Sequence, residues 1–347
     1  MKGVYIALLI LVCCSLSAQY DHLSITPELE GEALRFSLID NYQPQTVLSL
    51  REARDTLYAK VHLHRDSVRC VYTTHAKFLT PGADPSTDLF GAGGSTDLNL
   101  EHGFPQAKGA DFGPPNSDMH HLFPSRVLVN SARGNDPMVE LPDNEVVRWF
   151  YKDQTRTSTP SGNRDLWSED ADVEFEPRDA FKGNIARAYF YFYTMYQSQA
   201  DAADPDYFEL QRETLCEWHN LDPVDSLEWV RTFKIAEFQD DKPNPFVLDC
   251  RLARLYCGDI GAACRTVSTE DASSYDTQLF PNPAQPSQRL HIEVDDTILA
   301  VDFIDMYGQK VPAQRTAQGW NAPPHIGTYT LLIQTTKGTI AQKLVVL

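Results

Sequence analysis

Three short blocks follow one another between Asn99 and Asn135: Asn99-Leu-Glu-His-Gly-Phe-Pro-Gln106, Ser117-Asp-Met-His-His-Leu-Phe-Pro124 and Val129-Asn-Ser-Ala-Arg-Gly-Asn135. They hold a carboxylate, several imidazoles, a carboxamide and an arginine. Those are hard-cation donors, a general base and an anion binder, the set that metal-assisted phosphodiester hydrolysis needs. Their spacing constrains the fold as well. Glu101 and Asn130 are 29 positions apart, a span that suits two strands and one helix. Asp118 to Pro124 reads as the second strand, Ser125 as a helix cap, Arg126 to Ala132 as the helix and Gly134 as its stop. Asn130 then stands inside a helix, where asparagine has poor propensity, and a residue out of place in its own element points to a specific role. Neighbouring strand residues face opposite ways, so Glu101 and His102 serve one site only if the backbone there is irregular; Gly103 and Pro105 favour such a break. His120 and His121 read as structural residues of the second strand, with His121 kept as a candidate neighbour of the site.

In this order the blocks resemble the bacterial endonuclease I family, whose site is a ββα-metal (His-Me finger) fold. The resemblance implies that Glu101 and Asn130 hold one divalent cation, Mg²⁺ in first place with Ca²⁺ or Mn²⁺ as substitutes. It implies His102 as the general base that activates water, although the partner that fixes its tautomer is not legible. Arg133 lies about one turn beyond Asn130, where it serves either as a catalytic clamp on phosphate charge or as a cap to the helix dipole. Further matches are Arg178-Asp-Ala-Phe-Lys-Gly-Asn-Ile-Ala-Arg-Ala-Tyr-Phe-Tyr, Trp218-His-Asn-Leu-Asp-Pro-Val-Asp and Gln239-Asp-Asp-Lys-Pro-Asn-Pro-Phe-Val-Leu-Asp, so the resemblance runs from about Val71 to Cys257. Arg187, Trp218 and His219 read as scaffold, because a buried arginine must be paired and a Trp-His pair at a helix end packs. Periplasmic members of that family carry a long insertion with a phosphate-stabilising arginine between the first two blocks. Here only Gly103 to Asn116 intervenes, with Lys108 its sole basic residue, as in the shorter branch.

The implied activity is non-specific endonucleolytic hydrolysis of DNA, extending to RNA, by a monomer. Two other classes compete. One is a different metallohydrolase, against which stands the absence of an HExxH helix or a Cys/His zinc cluster. The other is a surface adhesin with a degenerate finger, against which stand the intact Glu101, His102 and Asn130. The formal net charge of −18 excludes binding of polyanions through bulk positive charge, but not a nuclease whose field is set locally by a cation and a few arginines.

The first residues, MKGVYIALLILVCCSLSAQ, combine one basic residue, a short apolar run and small residues before Gln19. That is the pattern of a signal peptide spanning 1–18, and it is too short for a comfortable membrane span. Cys13, rather than a small residue, precedes Cys14, which counts against lipoprotein processing. No later stretch approaches transmembrane length. Export through the periplasm to the medium or cell surface places Cys70, Cys216, Cys250, Cys257 and Cys264 in an oxidising compartment. The odd number leaves at least one thiol over, and Cys250 with Cys257 is spaced for a local staple.

The fold expected is α+β: a mainly helical nuclease domain at 19–272 and a small β-sandwich at 278–347. Ser49 with Glu52 marks a capped helix to Lys60, Pro81 to Gly94 reads as loop, and Arg148 to Glu176 as an irregular surface insertion. Helices are expected at Asn184 to Tyr196, Leu210 to His219 and Ser226 to Phe238. Near Ser273 the pattern changes to short alternating strands. Phe280-Pro-Asn-Pro-Ala284, Tyr307-Gly-Gln309, Gly327-Thr-Tyr329 and the terminal Lys343-Leu-Val-Val-Leu347 resemble the C-terminal sorting domain of the type IX secretion system. That resemblance implies the secretion machinery as a partner.

Overall fold

The computed structural model describes residues 25, 28–258, 278–294, 297–305, 310–311, 314–316, 319–335 and 339–347. The signal segment, Cys264, the composition break at Ser273 and the Tyr307-Gly-Gln309 turn lie outside the described residues.

Helix α1 (Gly31–Tyr42) buries Leu34 and Leu38 against the central core. Helix α2 (Leu50–Thr56) opens on the expected capping box: Glu52 N–H donates to Ser49 Oγ at 3.4 Å and Ser49 N–H to Glu52 Oε2 at 3.1 Å. A π-turn over Leu57–Val61 continues it. Strands β1 (Ser67–Arg69) and β2 (Ala76–Phe78) form a hairpin. The stretch expected as loop holds helix α3 (Pro85–Phe90), because Asp84 caps it and Pro85 at its first turn costs no hydrogen bond. Strand β3 (Leu98–His102), the one-turn helix α4 (Pro114–Ser117), strand β4 (Leu122–Arg126) and helix α5 (Val127–Arg133) follow.

The segment read as a surface insertion is instead a four-stranded antiparallel sheet: β5 (Arg148–Tyr151), β6 (Gln154–Arg156), β7 (Ser168–Asp170) and β8 (Phe175–Glu176), in the order β6-β5-β7-β8. Its polar sequence hid this because several of its charges, on β5, β7 and β8, are paired rather than solvated. Arg148 Nε donates to Asp170 Oδ2 at 2.6 Å, while Lys182 Nζ lies 2.7 Å from Glu176. Trp149 and Phe150 are buried.

Helix α6 (Asp179–Ala203) is the spine of this core, with Ile185, Tyr189, Phe190, Tyr191 and Phe192 fully buried. It approaches the end of helix α7 (Arg212–Leu221) so closely that a Cβ on Gly183 would stand 1.9 Å from the Asp222 carbonyl oxygen. Only glycine fits there. Helix α8 (Ser226–Ala236) supplies Glu228, which takes both ends of the Arg187 guanidinium at 2.8 and 2.6 Å; the buried arginine is paired as expected. Helix α9 (Pro245–Leu248) completes the domain.

Cys216 is bonded to Cys257, which overturns the local Cys250–Cys257 staple. Proximity in sequence misled here, because the chain between the two cysteines winds through a 3₁₀ helix (Cys250–Leu255) and carries Cys257 to α7. Cys250 is also disulfide-bonded, and Cys70 is a free, buried thiol.

The C-terminal segment has its own core of Leu290, Val301, Phe303, Leu331, Ile333 and Leu344. Strands β9 (Gln278–Phe280), β10 (Arg289–Glu293), β11 (Ile298–Asp305), β12 (Lys310–Val311), β13 (Gln314–Thr316), β14 (Gly319–Asn321), β15 (Gly327–Thr335) and β16 (Thr339–Val346) form two antiparallel sheets, ordered β13-β14-β10-β9 and β12-β11-β15-β16. The Phe-Pro-Asn-Pro-Ala opening clasps the last strand: Ala284 N–H donates to Val345 O at 2.8 Å and Val345 N–H to Asn282 Oδ1 at 2.9 Å.

Candidate active site

Strands β3 and β4 pair antiparallel, with Asn99 opposite Ser125, Glu101 opposite Phe123 and His102 opposite Leu122. Helix α5 leaves directly from β4. The second strand is shorter than the sequence suggested, since Met119–His121 is a 3₁₀ turn fixed by the Asp118 carboxylate, which accepts from His120 N–H at 3.1 Å. Ser125 is a ladder residue and not a cap; Arg126 precedes the helix, so Val127–Arg133 replaces the expected Arg126 to Ala132. Gly134, at φ 54°, ends α5 as expected.

Asn99 and Glu101 share one face of β3 by the strand period, and Asn130 and Arg133 share one face of α5 by the helix period. These two faces meet. Asn130 Nδ2 lies 2.8 Å from Asn99 Oδ1 and 2.9 Å from the Leu100 carbonyl oxygen. A backbone carbonyl only accepts, so the atom facing it is the amide nitrogen and Asn130 Oδ1 points elsewhere. Arg133 Nε lies 3.3 Å from Glu101 Oε1, and the Tyr72 hydroxyl donates to that same oxygen at 2.8 Å. Asn130 Oδ1 and Glu101 Oε2 therefore make no hydrogen bond among the described residues. One uncommitted amide oxygen and one uncommitted carboxylate oxygen are the hard donors that Mg²⁺ takes. In donor chemistry these two oxygens suit such a cation. Among the described residues no group of three or more His, Cys, Asp or Glu is placed to hold a metal ion.

Burial pushes the Glu101 carboxyl up to about 7, against the opposing pull of Arg133 and Tyr72. Arg133 is 1% exposed. Its guanidinium is taken up by Gly103 O at 2.6 Å, the Tyr189 hydroxyl at 2.6 Å and Gly134 O at 3.0 Å. In this arrangement it neutralises Glu101 and ties down the end of β3, and its bond to Gly134 O is also the cap-like contact weighed from the sequence.

The backbone at Glu101 and His102 is a regular ladder, and the break comes one residue later, at Gly103. The two side chains consequently leave the strand on opposite faces, and the irregularity expected from Gly103 and Pro105 does not reach them. The His102 ring turns to the one-turn helix α4, where its Nε2 lies 2.9 Å from the Asn116 carbonyl oxygen. That acceptor places the proton on Nε2 and leaves Nδ1 as the basic nitrogen. Burial pushes the ring's pKa down to about 4, with the Arg133 charge adding to the effect, so the imidazole is neutral at pH 7. His121 packs edge-on against His102 with ring centroids 5.7 Å apart, and its own Nε2 lies 2.7 Å from Pro115 O. His121 is fully buried, as is His120, whose Nε2 lies 2.8 Å from Lys242 O. His219 similarly bonds Cys250 O at 3.0 Å, and Trp218 Nε1 donates to Glu140 at 2.8 Å.

Sequence reasoning missed three contributors. Tyr72 reaches Glu101 from outside the three blocks, and nothing in its local sequence signals this. Asn116 acts through its backbone, so its side-chain type carried no clue. Asp118 was legible only as part of a block; it accepts from Tyr191, Tyr196 and Gln239 and anchors the turn that carries His121.

Residues 40–250 match the sequence profile of the Endonuclease I family. Over 238 residues the chain is 32% identical to an extracellular ribonuclease of Bacillus subtilis (strain 168), covering 62% of this chain and 71% of that one. A second similar protein, an extracellular ribonuclease of Bacillus amyloliquefaciens, is 33% identical over 172 residues, which is 45% of this chain and 52% of the other.

Proposed function

Because the chain belongs to the endonuclease I family, we propose that it is a secreted, metal-dependent, non-specific endonuclease that cleaves both DNA and RNA. The observation that carries the reading is the pair of uncommitted oxygens on Glu101 and Asn130, next in sequence to a histidine whose tautomer is fixed. RNA enters the proposal beside DNA because both similar proteins are named as ribonucleases.

Glu101 and Asn130 hold the ion in this proposal, with β3, β4 and α5 as the ββα finger. When bound, the ion supplies Lewis-acid stabilisation of charge on the phosphate oxygens. His102 takes a proton from water at Nδ1, while the Asn116 carbonyl holds the Nε2–H and so fixes both the tautomer and the ring plane. Arg133 and Tyr72 hold Glu101 Oε1, which orients the carboxylate. The two C-terminal sheets are read as a β-sandwich that sorts the protein through the type IX secretion system, by way of the periplasm. The test is nicking of a supercoiled plasmid and fragmentation of single-stranded RNA with Mg²⁺, then with a chelator. Cleavage of both that stops with chelator and returns with Mg²⁺ supports the proposal. Chelator-resistant cleavage contradicts the metal, and absence of cleavage favours a binding protein.

A further inference from the structure

A nuclease must hold several phosphates of its substrate, yet this chain carries a net charge of −18. Arg133 is buried, and Lys108, the sole basic residue of the loop after Glu101-His102, is spent on Asp204 at 2.6 Å. Resting on the nuclease reading, we infer that the β5–β6 hairpin is a docking surface for the phosphodiester backbone of the substrate strand, with Lys152 and Arg156 as its phosphate contacts.

Both side chains are exposed, and neither has a carboxylate within ion-pair distance among the described residues. Their neighbours differ: Arg148 is paired with Asp170 and Arg164 with Asp143. Each cation rests on an aromatic ring, and Arg156 also donates to Gln154 Oε1 at 3.3 Å. Lys152 Nζ lies 5.2 Å from the Tyr151 centroid, and the Arg156 guanidinium lies 5.0 Å from that of Trp167. The two rings are themselves 5.4 Å apart, and Trp167 is buried. Such a support keeps the charge while restricting the long side chain, so less entropy is lost on binding an anion. The carboxylate in the hairpin turn, Asp153, acts on Arg126 and His75.

The hairpin is fixed to the end of β4. Arg126 donates to Lys152 O at 2.8 Å and Asp153 O at 3.3 Å, and Lys152 N–H donates to Thr73 O at 2.7 Å. Arg126 ends β4 opposite Leu98, three residues from Glu101 along β3, or about 10 Å at strand rise. Asn130 follows Arg126 by four residues. The hairpin therefore stands at the end of the β3–β4 ladder that carries Glu101 and leads into α5 with Asn130.

The test is binding of a short fluorescent single-stranded oligonucleotide, with chelator present to prevent turnover, across a salt series. Each phosphate contact contributes about 0.7 to the slope of log Kd against log salt on single strands. The double variant Lys152→Gln/Arg156→Gln is expected to lower that slope by roughly 1.4, for two contacts, and to raise KM with kcat and the Mg²⁺ half-saturation unchanged. The charge-conserving Lys152→Arg/Arg156→Lys is expected to keep the wild-type slope. A wild-type slope in the folded Gln variant overturns the assignment. Failure of the wild-type protein to cleave any nucleic acid with Mg²⁺ would remove the nuclease reading itself, whereas cleavage with an unchanged slope removes only the hairpin.

Discussion

Arg133 Nε lies 3.3 Å from Glu101 Oε1, and the two side chains are 1% and 2% exposed. A buried pair of this kind cannot be cut on one side without leaving a charge stranded, a cost of about 3–5 kcal/mol. Glu101→Ala is therefore expected to destabilise the fold as well as disturb the metal site.

The cleaner probes are Glu101→Gln and Asn130→Ala. The first removes the anionic ligand and keeps the shape. The second loses two hydrogen bonds, to Asn99 and Leu100, at about 1 kcal/mol each. Both are expected to raise the Mg²⁺ concentration for half-maximal cleavage by well over tenfold. Titration of Mg²⁺ against rate is the check, and an unchanged midpoint in both variants would remove the ligand assignment.

Tyr72→Phe deletes a single hydroxyl, the one that donates to Glu101 Oε1 at 2.8 Å. Loss of a hydrogen bond to a charged group is expected to cost about 1.5–3 kcal/mol of stability. Loss of a ligand's orienting partner is expected to weaken metal binding by about 10–100-fold. Denaturant unfolding and calorimetric Mg²⁺ titration measure the two separately. A normal metal affinity in this variant would show that Tyr72 only packs.

The Cys216–Cys257 bridge closes a separation of 41 residues. By loop-closure entropy it is worth about 4 kcal/mol. The double variant Cys216→Ser/Cys257→Ser is expected to unfold at a markedly lower temperature while cleaving normally where it is folded. A melting temperature equal to wild type would contradict that reading.

The β-rich tail has a core of its own, and its histidines, His291 and His325, match no carboxylate-amide set. A chain ending at Glu270 is expected to nick DNA as well as the mature full-length protein, and to accumulate in the periplasm of the native host. Normal export of that truncation would refute the sorting assignment.

The central site was legible because its chemistry is local in sequence: the three blocks fold into consecutive elements, and the capping signals at Ser49 and Gly134 are short-range. Some misses are local, such as helix α3 behind its Asp84 cap and the 3₁₀ turn at Met119–His121; the others are long-range. Tyr72 is 29 positions before the carboxylate it serves, and strands β5, β7 and β8 hold Arg148, Asp170 and Glu176 in ion pairs that only tertiary structure creates. The irregular backbone expected at Glu101 is absent: the ladder runs regularly through His102, so Glu101 and His102 leave β3 on opposite faces, and the strand ends only at Gly103. Cys257 found Cys216 because three-dimensional proximity, not spacing, sets a bridge.

The most direct measurement is the single-turnover rate of plasmid nicking by His102→Ala at saturating Mg²⁺. In the wild-type protein His102 Nε2 is held at 2.9 Å by Asn116 O, which leaves Nδ1 to accept a proton. Removing the base is expected to slow hydrolysis by about 10²–10⁴-fold, with an unchanged Mg²⁺ midpoint and a near-wild-type melting temperature, since Glu101 and Asn130 remain. A rate within a few-fold of wild type would contradict the account, because the nitrogen on which the proposed proton transfer depends would be dispensable.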